Sequence, residues 1–350
     1  MQFTTLGSSG LQVSQVCLGT MTWGIQNTQQ DADEQLAYAL DVGVNFIDTA
    51  EMYPIPPNAQ TYADTERFIG NWLGRYPEKR QDIVLMSKIA GGGIQHIRNG
   101  SAISAATIDV ALDASLERLQ TDYLDVYQLH WPNRTSPHFG KHWPGKTDPT
   151  KVNVAEEVEG MRDIASALGK AIKDGKIRHW GLSDDTPWGI HTFLSLCKEL
   201  GVPKPVSIQN EFSLLHAKDW PYLIEMCHFE DIAYLPWSPL ATGMLSGKYL
   251  NDARPKESRW TYVQRQGLFR NKPQGHEATR RYMEIAKRAG ITPSQLALAW
   301  CQQVPGVTST IIGATTLDQL KENIAGFEIT LDEPVLRQIE EVLQLYPLGF

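Results

Sequence analysis

Short runs of β-branched and aliphatic residues alternate with longer amphipathic segments from near the start of the chain to near its end. The apolar runs predict strands at Val16–Gly19 and at 45–48, 83–88, 123–130, 179–183, 206–210, 233–238 and 310–313. Helical spacing between them predicts helices over 31–42, 65–74, 104–119, 158–174, Pro187–Leu200, 219–228, Pro293–Gln303 and 317–327. Several of these open on cap-forming residues, among them Asp31, Ser104 and Asp219.

A strand followed by a helix, repeated eight times with no Pro-, Gly- or Ser-rich linker between halves, predicts parallel βαβ units closed into one α/β domain over residues 1–350, a (β/α)8 TIM barrel. Residues 3–14 carry a polar turn, Gly7-Ser8-Ser9-Gly10, between strand-like pieces, and predict an N-terminal β-hairpin placed to cover the barrel floor. Residues 333–345 predict an extra C-terminal helix. Two stretches, 132–153 and 241–275, are longer than ordinary connections, and long loops in compact domains tend to carry function.

Composition narrows the classes. A formal net charge of -8 without a dense Lys/Arg block argues against nucleic acid and against an anionic membrane surface. No stretch reaches the roughly 20 apolar residues of a membrane span. The first basic residue is Arg67, so the opening of the chain lacks a secretory signal, and the cytoplasm is expected. Cys17, Cys197, Cys227 and Cys301 form no CxxC pair and fit reduced thiols.

In such a barrel, catalytic groups sit where strands end at the C-terminal face. The segments Phe46-Ile47-Asp48 to Tyr53, Leu85-Met86-Ser87-Lys88 and Val126 to His130 bring an acid, a phenol, an ammonium and an imidazole to those ends. That set suits proton delivery to a carbonyl oxygen while hydride arrives from a nicotinamide. Tyr53 is the expected general acid, Lys88 the cation that stabilises its phenolate, Asp48 the partner that keeps Lys88 charged, and His130 the group that orients the substrate. Singly, each has a structural explanation: a loop cap, an ion pair or a core imidazole. Together, in order at consecutive strand ends, they favour catalysis.

These four residues, preceded by Leu18-Gly19-Thr20-Met21, resemble the catalytic tetrad and opening strand of the aldo-keto reductases. The resemblance runs through 175–183, 208–210, Trp237-Ser238-Pro239-Leu240 and 312–320, and Ala50-Glu51-Met52-Tyr53-Pro54 is similar to the bacterial Tas-type branch. It implies a reductase of aldehydes or ketones that binds extended NADP(H) across the barrel mouth, and no GxGxxG is present. Gly19, Thr20, Met21 and Asp48 would then border the cofactor, with Ser183, Asp184 and Gln209 at the nicotinamide carboxamide. Asp184 stands where the family usually has Asn. Trp237 would stack on the ring, Ser238, Pro239, Leu240, Gly243, Leu245 and Lys248 would follow the pyrophosphate, and Gly313, Thr315, Gln319 and Asn323 would surround the adenosine. The cation that many relatives place near Thr315 for the 2′-phosphate is missing, leaving Arg259, Arg265 and Arg270 as substitutes.

Trp23 and Trp131 follow strands one and four and are candidates for an apolar substrate wall. Phe139, Lys141 and Trp143 in the long loop are placed to shape access. A metal-free site with a small carbonyl substrate is expected. Two other classes stand beside the reductase: a cofactor-sensing regulatory protein with little turnover, and a metal-dependent hydrolase using Asp48, His130 and His138. Natural substrate, oligomeric state and protein partners are not encoded in any motif.

Overall fold

The computed structural model describes residues 1–261 and 268–350. Strands β1 (Phe3–Thr5) and β2 (Gln12–Ser14) pair antiparallel as a hairpin. The barrel strands are β3 (Val16–Gly19), β4 (Phe46–Asp48), β5 (Val84–Ile89), β6 (Leu124–Leu129), β7 (Ile177–Ser183), β8 (Ser207–Glu211), β9 (Ala233–Trp237) and β10 (Thr310–Ile312). They form one parallel eight-stranded sheet in the order β10-β3-β4-β5-β6-β7-β8-β9, and a parallel bridge from Tyr234 to Val307 draws its two ends together. This is the (β/α)8 barrel that the alternation predicts.

Helices surround it: α1 (Gln29–Asp41), α2 (Asp64–Arg75), α3 (Ala105–Leu119), α4 (Val154–Lys173), α5 (Pro187–Leu200), α6 (Tyr222–Phe229), α7 (Pro273–Ala289), α8 (Pro293–Gln303), α9 (Leu317–Gly326) and α10 (Glu333–Leu345). The sequence reading placed no helix at α7, ending its long loop at residue 275. Yet Ala278, Tyr282, Ile285 and Ala286 bury one face there at helical spacing. The apolar stripe is thin and the exposed positions strongly polar, so the segment reads as loop until tertiary packing covers that stripe: α10, α8 and the segment after β9 all lie against it, and Tyr282 donates to the Leu214 carbonyl. Capping was also partly misassigned. Ser104 does cap α3, but Thr28 caps α1 with Asp31 closing the capping box, and Asp219 is buried, accepting from Asn210 and Tyr234.

Strand side chains alternate between two cores. One parity packs outward against the helices in a large apolar shell that includes Leu18, Ile47, Leu85, Tyr127 and Leu182. The other parity fills the barrel with Cys17, Phe46, Val84, Met86, Val126 and Leu235. Burial on both faces explains why the strands read as continuous apolar runs. Leu6 and Val13 from the hairpin join the interior core and close its floor. Among the described residues, no helix is long and apolar enough to cross a membrane.

Gly7 is what allows the hairpin to seat. Its φ is +49°, and a Cβ there would lie 2.4 Å from the carbonyl oxygen of Val206 and 2.8 Å from that of Asp231. Backbone atoms cannot retreat as flexible side chains do. Gly7→Ala is therefore expected to cost about 2–4 kcal/mol, through overpacking and left-handed strain together, read as a lower urea midpoint at unchanged slope.

Candidate active site

The inward parity that fills the barrel continues upward into chemistry. Two residues above Phe46 stands Asp48, two above Met86 stands Lys88, and four above Val126 stands His130. Register then sets the heights: Gly19 pairs with Asp48, Asp48 with Met86, Lys88 with Gln128, and Ser183 with Gln209. Tyr53 is delivered differently, by a turn after β4 in which its N–H donates to the carbonyl of Ala50 at 3.1 Å.

Lys88 is fully buried. Its Nζ lies 2.6 Å from Asp48 Oδ1, donates to the Thr49 carbonyl at 2.8 Å, and reaches the Tyr53 hydroxyl at 3.4 Å. Burial works against the ammonium, but the charges of Asp48 and Tyr53 outweigh it and hold the lysine above its ordinary range. Gln209 donates from Nε2 to Asp48 Oδ1 at 3.0 Å, so the carboxylate keeps a second partner. Tyr53 feels opposing effects: burial raises its pKa, Lys88 lowers it, and Asp48 and Asp184 raise it, with a net upward shift. His130 sits edge-on to the Tyr53 ring at 5.5 Å. Burial, and then the charge of Lys88, drive its pKa well down, so the imidazole is neutral at neutral pH.

Above this group opens a cavity of about 1110 Å³. Of the residues expected at the cofactor or substrate, Gly19, Met21, Asp48, Tyr53, His130, Trp131, Ser183, Asp184, Gln209, Trp237, Ser238, Pro239, Leu240, Gly243, Lys248, Gly313, Thr315, Gln319 and Asn323 line it. Lys88 lies beneath. Three do not line it. Trp23 is a correction to the substrate wall: it is fully buried in the outer core with its indole donating to Gln35, because the loop after β3 folds back over α1. Thr20 is turned to the Asp48 carbonyl, and Leu245 is packed into the core.

Asp184 adopts φ 51°, a left-handed conformation that Asp tolerates. Its Oδ1 accepts from the Trp237 indole at 3.1 Å, with His138 Nδ1 at 3.4 Å. Burial pushes the Asp184 carboxyl well up and drives the His138 imidazole that faces it down to about 3. Among the described residues, no group of three or more His, Cys, Asp or Glu could hold a metal ion.

The three candidate arginines separate. Arg270 is buried against Glu211 and committed to it. Arg265 lies outside the described residues. Arg259 lines the cavity, and no carboxylate among the described residues pairs with it. Burial and then the charge of Arg270 lower its pKa to about 10, and burial followed by Arg259 lowers that of Lys248. The loop after β3 bridges this region: Gln26 donates to the Glu257 carbonyl, two residues before Arg259, and Asn27 donates to that of Thr315.

Sequence reasoning flags 132–153 as a functional loop but names none of 132–136, which supply part of the wall; Phe139 and Lys141 do line the cavity, and Phe139 stacks on Trp237. It also gave no role to Glu51 and Arg98, an ion pair beside Tyr53 with Glu51 fully buried. A Glu within an apolar stretch was the available signal.

Comparison with known proteins adds an independent line. A family profile described as Aldo/keto reductase family matches residues 15–344. The chain is 41% identical to "Protein tas" of Escherichia coli (strain K12) over 349 residues, covering 99% of each. It is 29% identical to "Uncharacterized oxidoreductase YrpG" of Bacillus subtilis (98% of this chain, 96% of that protein). It is 30% identical to "Putative voltage-gated potassium channel subunit beta" of Schizosaccharomyces pombe (99% and 94%).

Removing the buried cation leaves a buried carboxylate unpaired. Lys88→Met is expected to lose about 3–5 kcal/mol at neutral pH by chemical denaturation. With Lys88 gone, burial acts on Asp48 against only the Gln209 hydrogen bond and lifts its folded pKa further above the unfolded value. The variant should therefore regain stability as pH falls and lose it as pH rises through the folded pKa, which a denaturation series across pH will show.

Proposed function

The chain belongs to the aldo/keto reductase family, in which it resembles the Tas-type branch, and on that footing we propose that it reduces an aldehyde or ketone to the alcohol with NADP(H), Tyr53 donating the proton. The observation that carries the reading is the Tyr53 hydroxyl lying 3.4 Å from a fully buried ammonium at the base of the cavity. When bound, the reduced nicotinamide supplies hydride to the carbonyl carbon.

The chain's own residues account for the rest. A neutral imidazole has no strongly acidic proton to give, so His130 orients the carbonyl oxygen by hydrogen bonding, and the proton comes from the phenol. Burial keeps that phenol protonated at neutral pH, ready to donate. Once it has donated, the phenolate faces Lys88, which Asp48 holds charged. Met21, Met52, Ile55, Ile94 and Trp131 gather around Tyr53 and exclude water from the reacting atoms.

The donor set fits a dinucleotide. Ser183, Asp184 and Gln209 would meet the carboxamide and Trp237 the ring face. Lys248 and Arg259 would meet phosphate, because each is a cavity cation without a carboxylate partner among the described residues, depressed in part by neighbouring positive charge that an anion would relieve. Thr315, Gln319 and Asn323 at the start of α9 would hold the adenosine end. This charge favours NADP(H) over NAD(H). Four buried, unpaired cysteines suit the cytoplasm as the working compartment, and the near-complete family match supports one domain over 1–350.

Cofactor oxidation with a panel of aldehydes tests the reaction, and Tyr53→Phe is expected to lower kcat about 10²–10⁴-fold. Wild-type turnover in that variant would remove Tyr53 from the role. A fluorescence titration tests the cofactor: NADPH should bind more tightly than NADH, and Arg259→Ala should weaken NADPH about tenfold or more, as the loss of one charge-assisted contact. The Schizosaccharomyces pombe relative's name raises a second reading, a cofactor-sensing subunit. Tight NADPH binding with negligible turnover across the panel would favour it.

A further inference from the structure

Tyr53 and Lys88 come from different segments, a turn and a strand, and their 3.4 Å approach requires something to hold the two together. Glu51 is in the right place. It sits two residues before Tyr53, inside the turn that Ala50 and Tyr53 close, and is fully buried. Its backbone N–H donates to the carbonyl of Lys88 itself at 3.2 Å. Its carboxylate accepts from the N–H of Ala90, two residues beyond Lys88, and from Arg98. Arg98 completes the ring by donating from its other nitrogen to the Ala90 carbonyl at 2.8 Å. The turn bearing the phenol and the strand bearing the ammonium are thus joined at Lys88 itself and again two residues beyond it, at Ala90.

Resting on the proton-donor reading above, we propose that Glu51 and Arg98 are positioning residues that hold the Tyr53 hydroxyl against the Lys88 ammonium. Neither touches the cavity. Around Glu51 stand Arg98, Tyr62, whose hydroxyl donates to it at 3.4 Å, and the Glu66–Arg118 pair. Around Tyr53 stand Lys88 of β5, Asp48 of β4, His130 beyond β6, Asp184 beyond β7, and Arg259. Two-point bridging by a planar guanidinium is a geometric device, which an ammonium cannot reproduce. A glutamine at 51 fails as well, since one of its ends is an amide nitrogen that meets either the Ala90 N–H or Arg98, donor against donor.

The test is the titration of the Tyr53 phenol, followed as tyrosinate absorbance and taken as the difference between each protein and the same protein carrying Tyr53→Phe. Loosening the clamp moves the phenol away from Lys88 and raises the midpoint, by about one unit or tenfold in proton affinity, in Glu51→Gln and Arg98→Met alike. A purely through-space effect gives opposite signs: loss of the negative charge lowers the midpoint and loss of the positive charge raises it. Arg98→Lys, which conserves charge, is expected to raise it too, and it stands in if Glu51→Gln does not fold. In step, kcat should fall about tenfold while the NADPH dissociation constant stays within twofold of wild type. Opposite signs, or unmoved midpoints in folded variants, overturn the proposal. Because the titration requires no turnover, its failure is separate from that of the proton-donor reading, which falls if Tyr53→Phe remains active.

Discussion

An ammonium with no access to water survives only if opposite charge is already waiting for it. In this barrel Lys88 meets that condition through Asp48 at 2.6 Å, and the pair organises the residues around it. Gln209 is turned to Asp48, the Thr49 carbonyl is turned to Lys88, His130 is kept neutral in part by the Lys88 charge, and the Tyr53 phenol is drawn down from a range that burial alone would raise. Because such pairs return little net stability after desolvation, the pair is better understood as a device for electrostatics than as a structural staple.

The same economy governs the rim. Several buried polar groups in and behind the cavity wall meet one another: Arg270 meets Glu211, Arg134 meets Asp185, and Asp184 accepts from the Trp237 indole. Lys248 and Arg259 are different, since both line the cavity with no carboxylate partner among the described residues. Uncompensated cations of this kind are the basis for proposing an anionic ligand there.

How much of this was legible depended on the range of the interaction that decides each feature. The barrel, the floor hairpin and the final helix follow from short apolar runs alternating with helical spacing and from a polar turn, which are local signals, and all appear. Helix α7 was missed because its thin apolar stripe is buried by segments distant in the chain, the 241–246 stretch and Leu214 before it and α10 after it. Trp23 was misplaced for a similar reason. An aromatic residue just past a strand end faces the cavity or the core according to how its loop turns, and here the loop turns toward Gln35.

Within the site, Asp48, Lys88 and His130 could be read from the chain because strand-end position and inward parity place polar groups at the barrel mouth, whereas Gln209 and Trp237 were implied only by the family resemblance. What parity cannot supply is relative height around a sheared barrel, the path of long connections, or which buried charges meet. Those decided that Tyr53 reaches Lys88, that Glu51 and Arg98 brace the approach, that Phe139 folds onto Trp237, and that Arg259, not Arg270, is left without a carboxylate partner. The sequence determined the elements and their inward faces, since these rest on backbone geometry and side-chain period. The tertiary structure determined the constellation, because each of its contacts joins segments whose distance is set only when the barrel closes.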